Sequence, residues 1–152
     1  MSAAAISAAD RVAIRAVLAA YVQVVDNADW EHVHEVFTPE ARFAGQPLAK
    51  VIEGWAAMVA SRPVPLFPHQ CTDPVLYAVA PGVVRSWSKF FTVRTDGTIT
   101  SGDYLDTFVR HADGRWRIRE RQASLGNRPE SDPFGPSRRS FTTTLWRTAA
   151  GE

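Results

Sequence analysis

Residues 83–125 read VVRSWSKFFTVRTDGTITSGDYLDTFVRHADGRWRIRERQASL, three strand-forming runs separated by Asp-Gly pairs at 96–97 and 113–114. An Asp-Gly pair between two such runs is a strong hairpin signal, because glycine adopts the positive φ that tight turns require. A Pro-Gly pair at 81–82 marks one more turn on the N-terminal side. Four strands are therefore predicted: Cys71–Ala80, Val83–Arg94, Thr98–Arg110 and Arg115–Leu125. Strands joined by successive hairpins form an antiparallel sheet.

Helical patterns occupy the part of the chain that precedes this sheet. Apolar residues at positions 14, 17, 18, 21, 22 and 25 recur at the spacing of one face of an α-helix, and Ser7 can cap its start. A short second helix is predicted after Asp29 and through Phe37, a short strand at 41–44, and a third helix at Ile52–Ala60. Helices followed by a meander of strands predict an α+β fold. A curled sheet around a helix makes a cone, whose open mouth is a default ligand site.

The chain is predicted to form a single domain over residues 1–152. This length suits one domain, and a hydrophobic fraction of 45% is enough for a sizeable core, predicted at about residues 8–125. Residues 126–140 are rich in Pro, Ser, Gly and Arg and are predicted as loop. Phe141–Arg147 could form an edge strand or an arm on a neighbouring subunit. A homo-oligomer, either a dimer or a trimer, is expected.

Charge and cysteine content argue against several classes of function. The 17 basic and 16 acidic residues give a net charge of +1, so no nucleic acid and no membrane is expected as a partner. The one cysteine and the four histidines form no recognisable ligand motif, so we expect no metal and no cofactor. No segment is long enough to span a bilayer and the first residues lack a secretory signal, so a cytoplasmic location is predicted.

Asp26, at the end of the first helix, and His69, where a proline-rich loop enters the first long strand, are candidates for a proton-transfer pair. If the two meet in an apolar cavity, the carboxylate fixes the imidazole tautomer and stabilises its protonated form. The alternatives are an aspartate that shapes the turn into the second helix and a histidine that is a surface or core residue. Tyr21 lies in the buried stripe of the helix, and its hydroxyl needs a partner.

Arginines at 115, 117, 119 and 121 alternate with other residues in the last strand. Simple alternation places all four on one face, most simply the solvent face, so Arg121 enters the interior only if a bulge or the curl of the sheet breaks the alternation. In the preceding strand Asp106 could be a polar group in the pocket or the partner of a neighbouring arginine. The candidates for substrate contact are Trp30, Trp55, Met58, Trp87, Phe91, Tyr104 and Asp106.

Several local motifs, taken in order, resemble the SnoaL-like branch of the nuclear transport factor 2 superfamily. They are residues 21–30 (YVQVVDNADW), 37–43 (FTPEARF), 68–73 (PHQCTD), 102–108 (GDYLDTF) and 113–121 (DGRWRIRER). The resemblance spans roughly residues 8–125 and implies a cone-shaped, curved antiparallel sheet wrapped around the N-terminal helices.

The same resemblance implies roles for individual residues. Asp26 and His69 fall where hexachlorocyclohexane dehydrochlorinase and bile-acid 7α-dehydratase keep an Asp–His catalytic dyad. Arg121 falls at the arginine of the dehydrochlorinase site, and Tyr21 falls at the tyrosine of the bile-acid dehydratase site. His69 would act as the general base, Asp26 would orient it, and Tyr21 would stabilise a developing oxyanion or protonate a departing hydroxyl.

The function implied in this way is that of a cofactor-free lyase or isomerase, of the dehydratase type, acting on a hydrophobic and cyclic small molecule. A polyketide-type cyclase or an epoxide-opening enzyme would use the same dyad on a different substrate. Outside catalysis, the alternative is a small-molecule-binding or protein-interaction domain with the same cone, because a fold does not by itself settle function.

Overall fold

A computed structural model describes residues 5–61, 68–94 and 96–127. Three helices and seven strands follow one another in the described part of the chain, together with a 3₁₀ turn at Trp30–His32. The helices are α1 (Ala8–Asp26), α2 (Val33–Val36) and α3 (Leu48–Ser61). The strands are β1 (Phe37–Phe43), β2 (Gln46–Pro47), β3 (His69–Cys71), β4 (Val75–Ala80), β5 (Val83–Val93), β6 (Ile99–Arg110) and β7 (Trp116–Asn127). The predicted arm at Phe141–Arg147 lies outside the described residues.

The helix α1 begins and ends where its sequence dictates. The Ser7 hydroxyl accepts a hydrogen bond from the backbone N–H of Asp10 at 3.1 Å, which caps the first turn. At the other end the backbone N–H of Asn27 still bonds to the carbonyl of Gln23 at 3.2 Å. Ala28 then adopts a positive φ of 54°, which turns the chain away from the helix axis. Asp26 is therefore the last residue of α1.

The seven strands form one sheet in the order β2-β1-β7-β6-β5-β3, and β4 also pairs with β5. The β1–β7 pair is parallel and the other pairs are antiparallel. Residues of α1 pack against the concave face of β5–β7, where Phe90, Tyr104, Phe108 and Ile118 are buried. The α+β class with a curved antiparallel sheet, predicted from the hairpin signals, is confirmed.

Several predicted boundaries differ from the structure: the short strand predicted at 41–44 is β1, which begins at Phe37, and β7 extends two residues beyond Leu125. The predicted strand Cys71–Ala80 is two strands, β3 and β4, because Pro74 has no N–H to donate to a ladder and the chain leaves β5 at that point. The second helix ends at Val36, and Phe37 already belongs to β1. The third helix begins earlier than predicted, at Leu48, directly after Pro47.

A bulge in β7 breaks the alternation of its side chains. Thr107 pairs with Glu120 but the next residue, Phe108, pairs with Ile118, so Arg119 is an extra residue without a partner opposite. Ile118 faces the core before the bulge, and Arg121 faces it afterwards. The expectation of simple alternation, with all four arginines on one face, is therefore wrong for Arg121, because the extra residue shifts the alternation by one.

Candidate active site

The structure brings Asp26 and His69 into direct contact. The Nδ1 atom of His69 lies 2.5 Å from Oδ1 of Asp26, and the backbone N–H of His69 donates to Oδ2 of the same carboxylate at 2.7 Å. Both carboxylate oxygens are thus held by one residue, which fixes the imidazole relative to the carboxylate. Their side chains are only partly exposed, 21% for His69 and 17% for Asp26.

This geometry decides which nitrogen of the imidazole is available for chemistry. An ionised carboxylate only accepts hydrogen bonds, so Nδ1 of His69 carries the proton that Asp26 accepts. The other nitrogen, Nε2, then carries the lone pair. A carboxylate at the C-terminal end of a helix is disfavoured by the helix dipole, by about 0.3–1 kcal/mol. The two hydrogen bonds from His69 offset that cost and hold Asp26 in place.

Pairing of β3 with β5 positions His69. His69 lies opposite Thr92, and Cys71 lies opposite Phe90, so the four side chains share one face of the sheet. The ring of His69 contacts the ring of Phe90 at a centroid distance of 6.3 Å. The ring of Phe90 in turn stacks on Tyr104 at 4.3 Å.

Gly102 allows the ring of Phe90 to lie where it does. It lies directly opposite Phe90 in β6. A Cβ atom at position 102 would stand 2.8 Å from the Phe90 ring and 2.0 Å from the backbone oxygen of Ser124. Only glycine fits so close an approach. Gly102 is not among the residues predicted for the site, although a glycine in the interior of a strand indicates a close approach of this kind.

Arg121 and Asp106 form a second, fully buried pair. Nε of Arg121 donates to Oδ1 of Asp106 at 2.6 Å and Nη2 donates to Oδ2 at 2.8 Å, with both side chains 0% exposed. Burial opposes the charge of Arg121, but the carboxylate of Asp106 outweighs it and holds the pKa of the guanidinium above its usual value. The third nitrogen, Nη1, is buried and has no hydrogen-bond partner in the described structure.

Two tyrosines enclose the guanidinium of Arg121. Its central carbon lies 3.9 Å from the ring centroid of Tyr21 and 4.0 Å from that of Tyr104, at cation–π distance. The two rings meet edge to face with their centroids 5.7 Å apart. Burial raises the pKa of both tyrosine hydroxyls. Both hydroxyls therefore stay protonated at neutral pH, and the hydroxyl of Tyr21 interacts with the side chains of Tyr104 and Arg121.

Five of the predicted substrate-contact residues fall into three groups. Tyr104 and Asp106 lie in the cluster around Arg121, where Asp106 is the partner of the arginine. Trp30 and Trp55 contact each other, and Trp55 also contacts Phe43. Met58 lies in α3 and is partly buried.

The predicted pocket positions of Trp87 and Phe91 are wrong. In the regular pairing of β5 with β6, odd-numbered residues of β5 face away from Phe90 and Tyr104. The indole N–H of Trp87 donates to Asp103 at 2.7 Å on that opposite face, and Phe91 is 38% exposed there. The aromatic composition of β5 does not reveal which of its residues face inward, and the register does.

Cys71 lies between the dyad and the Arg121 cluster. Burial raises the pKa of its thiol from 9.0 to about 11, with smaller contributions from Arg121, which lowers it, and from Asp106 and Asp26, which raise it. A thiol with this pKa is neutral at physiological pH and is a poor nucleophile. Any stabilisation linked to the neutral thiol is complete below pH 9.0 and is lost as the pH rises towards 11.

We expect the pH profile of Cys71 alkylation to reflect this shift. The rate of reaction with iodoacetamide should rise with a midpoint near pH 11 in the folded chain, because burial disfavours the thiolate. Mass spectrometry can follow the reaction without ambiguity, since the chain has one cysteine. The urea-unfolded chain is the control and should show a midpoint near 9.0. Coinciding profiles for the folded and unfolded chains would contradict a buried thiol.

Across residues 5–61, 68–94 and 96–127, no three His, Cys, Asp or Glu side chains cluster in a way that could hold a metal ion. Among the described helices, none combines the length and the apolar character that crossing a membrane requires.

Comparison with known proteins identifies the class of domain that the fold and site define. A family model described as SnoaL-like domain matches residues 7–122. The chain therefore belongs to the SnoaL-like domain family, and the predicted family membership is confirmed. The search of curated proteins gives no match.

Solved structures share this fold at low sequence identity. A Catenulispora acidiphila structure in complex with S-DNPA is 22% identical, with a TM-score of 0.63, over 78% of this chain and 95% of the other. ActVI-ORFA from Streptomyces coelicolor is 18% identical, with a TM-score of 0.62, over 75% and 95%. A nuclear transport factor 2-like superfamily protein from Salmonella enterica is 17% identical, with a TM-score of 0.59, over 81% and 95%. At these identities the likeness shows the fold alone.

Proposed function

We propose that this chain is a lyase or isomerase that acts on a hydrophobic, cyclic small molecule by general acid–base catalysis without a cofactor. The observation that carries the proposal is the doubly hydrogen-bonded contact between Asp26 and His69. Nε2 of His69 takes a proton from carbon, and the adjacent carboxylate stabilises the imidazolium that results. General acid–base catalysis of this kind contributes about 10²–10⁴-fold in rate.

In this proposal, the Arg121 cluster stabilises the negative charge that develops on the substrate. Nη1 of Arg121 is a buried donor without a partner, and a buried unsatisfied donor costs about 1–3 kcal/mol or more. An oxygen atom of a substrate would satisfy it. The neighbouring hydroxyl of Tyr21 can donate to the same oxygen or protonate a departing hydroxyl. A donor already in place needs no reorganisation as charge develops.

The reaction itself is tested by product analysis. Neutral cyclic compounds carrying a hydroxyl group β to a carbonyl should lose one water molecule when incubated with the chain. A product of unchanged mass would favour isomerisation or ring closure, and addition of water to an epoxide would favour the epoxide-opening alternative. If every class of compound is recovered unchanged, the proposal of an enzyme is contradicted.

A binding domain without catalysis is the second candidate, and one observation favours it. Aromatic side chains of the core, among them Tyr21, Phe90 and Tyr104, pack closely on the concave face of the sheet. The Catenulispora acidiphila structure was determined in complex with S-DNPA. Ligand binding by this chain without turnover would support this second candidate. The homo-oligomeric state and the cytoplasmic location stay predictions.

Tyr21→Phe should lower turnover and leave the fold almost unchanged. The substitution keeps the ring that packs between Phe37 and Tyr104 and removes only the hydroxyl. Loss of one oxyanion donor costs about 10²–10³-fold in turnover. Thermal melts measured beside the kinetics separate the two effects, and Tyr77→Phe is the matched control on β4. Equal turnover by the wild type and Tyr21→Phe would remove Tyr21 from the mechanism.

A further inference from the structure

A cleft lies between α1 and the segment from β3 to β4. Its volume is about 510 Å³, and its lining includes Ala16, Ala19 and Val22 from the helix and Gln70, Cys71 and Thr72 from the opposite wall. Neither Asp26 nor His69 is among its lining residues. The cleft is therefore distinct from the dyad, and nothing in the proposed chemistry accounts for it.

The residues of α1 that line the cleft nevertheless lie on the same helix face as Asp26. Positions 15, 19, 22 and 26 recur at the spacing of one helix face, so the wall residues and Asp26 form one stripe along α1. At the far end, Arg15 bonds to Asp73 at 2.8 Å, and at the near end Asp26 bonds to His69. The 11 residues from position 15 to position 26 span about 16 Å of helix. A molecule of that length could lie in the cleft and reach the dyad.

Cys71 separates the cleft from the buried side chains around Arg121. It lines the cleft, and it shares a strand face with His69 and lies opposite Phe90. Its thiol also interacts electrostatically with Arg121, Asp106 and Asp26. The cleft, the Asp26–His69 pair and the buried Arg121–Asp106 pair thus all lie near the side chain of Cys71.

The lining indicates which ligand the cleft suits. Arg15 and Asp73 neutralise each other, so the cleft offers no net charge to a charged ligand. The side-chain amides of Gln23 and Gln70 form no hydrogen bond with other described residues and can bind hydroxyl or carbonyl groups. The small apolar side chains between them offer contact area, and the volume is typical of small-molecule sites.

We propose that this cleft binds the non-reacting part of the substrate, a neutral, elongated molecule with hydroxyl or carbonyl groups. The reacting part lies at the end of the cleft, beside His69. The identity of the ligand as the substrate rests on the proposed function, whereas binding in the cleft does not. Contact with remote parts of a substrate supplies binding energy that orients the reacting part.

The test uses 1,8-dihydroxyanthraquinone, a neutral three-ring diketone, as the probe. Ala19 is an exposed alanine in the cleft wall, so Ala19→Trp fills the cleft, and Ala9→Trp adds the same side chain to α1 outside the lining. In titrations followed by absorbance, Ala19→Trp should weaken the dissociation constant at least about tenfold, whereas Ala9→Trp should change it by less than about twofold. Thermal melts of both variants establish that they fold.

A second measurement uses the wild-type chain and does not depend on any variant folding. Saturating probe should slow alkylation of Cys71 by iodoacetamide at least about fivefold, because the thiol lines the occupied cleft. Unchanged alkylation with bound probe, or equal affinity of Ala19→Trp and Ala9→Trp, overturns the cleft site.

His69→Ala should bind the probe like the wild type. Failure of the catalytic proposal would therefore appear in turnover alone, and failure of the cleft would appear in binding alone.

Discussion

His69→Ala is expected to reduce turnover by at least about 10²-fold while the thermal melt stays close to that of the wild type. The substitution removes Nε2, the atom proposed to take the proton. Asp26→Asn keeps the shape of the side chain but removes the charge that would stabilise the imidazolium, so turnover should fall strongly in that variant as well. The measurement is steady-state kinetics on a substrate found by screening, with a melt for each variant.

The double variant separates a catalytic dyad from two independent contributions. Asp26→Asn combined with His69→Ala should be little slower than the slower single variant, because residues that act as a unit have non-additive effects. The chain supplies its own control, since Asp29 and His32 form a second Asp–His contact at 2.8 Å that is exposed. His32→Ala should leave turnover unchanged. Near wild-type turnover of His69→Ala would favour the binding-domain alternative.

Asp106→Leu is expected to lower the free energy of unfolding by about 3–5 kcal/mol, because it leaves the buried charge of Arg121 without its carboxylate. Both side chains are fully buried, so water cannot replace the lost partner. Chemical denaturation with urea, analysed by linear extrapolation, measures the change.

Replacing both partners shows whether the loss of stability comes from the unpaired charge of Arg121 or from the changed shape of the side chain at position 106. Asp106→Leu combined with Arg121→Met removes both charges and should recover most of the lost stability, since apolar replacement of a buried pair is often neutral or stabilising. Asp73→Asn is the control for an exposed ion pair, with Arg15, and should change stability by less than about 1 kcal/mol. A double variant as unstable as Asp106→Leu would mean that the charge of Arg121 is not the cause.

The sheet was predictable because its signals are local. The Asp-Gly and Pro-Gly pairs place Gly82, Gly97 and Gly114 at φ values of 72°, 81° and 80°, a region that glycine adopts without strain. Long alternating runs between such turns leave few arrangements other than a meander. The split between β3 and β4 was missed, because one proline in a strand-like run does not show where pairing resumes.

The candidate dyad was only partly predictable. The sequence places Asp26 at the end of a helix and His69 at the end of a loop. The family resemblance is what indicates that the two act as a pair. Their contact depends on the turn at Ala28 that ends α1 and on the pairing of His69 with Thr92. Both depend on how α1 packs against the sheet. The conformational preferences of individual residues therefore do not predict the distance between the two side chains.

The sequence by itself determined the α+β class, the hairpins and the family of this chain, because turn residues and hydrophobic periods act over a few neighbours. Only the tertiary structure decided that Arg121 is buried and that Trp87 and Phe91 are not at the site. One extra residue at Arg119 reverses the alternation of β7, and the pairing with β6 shows where it falls. A buried arginine is tolerated there because Asp106, on the neighbouring strand, accepts two of its hydrogen bonds.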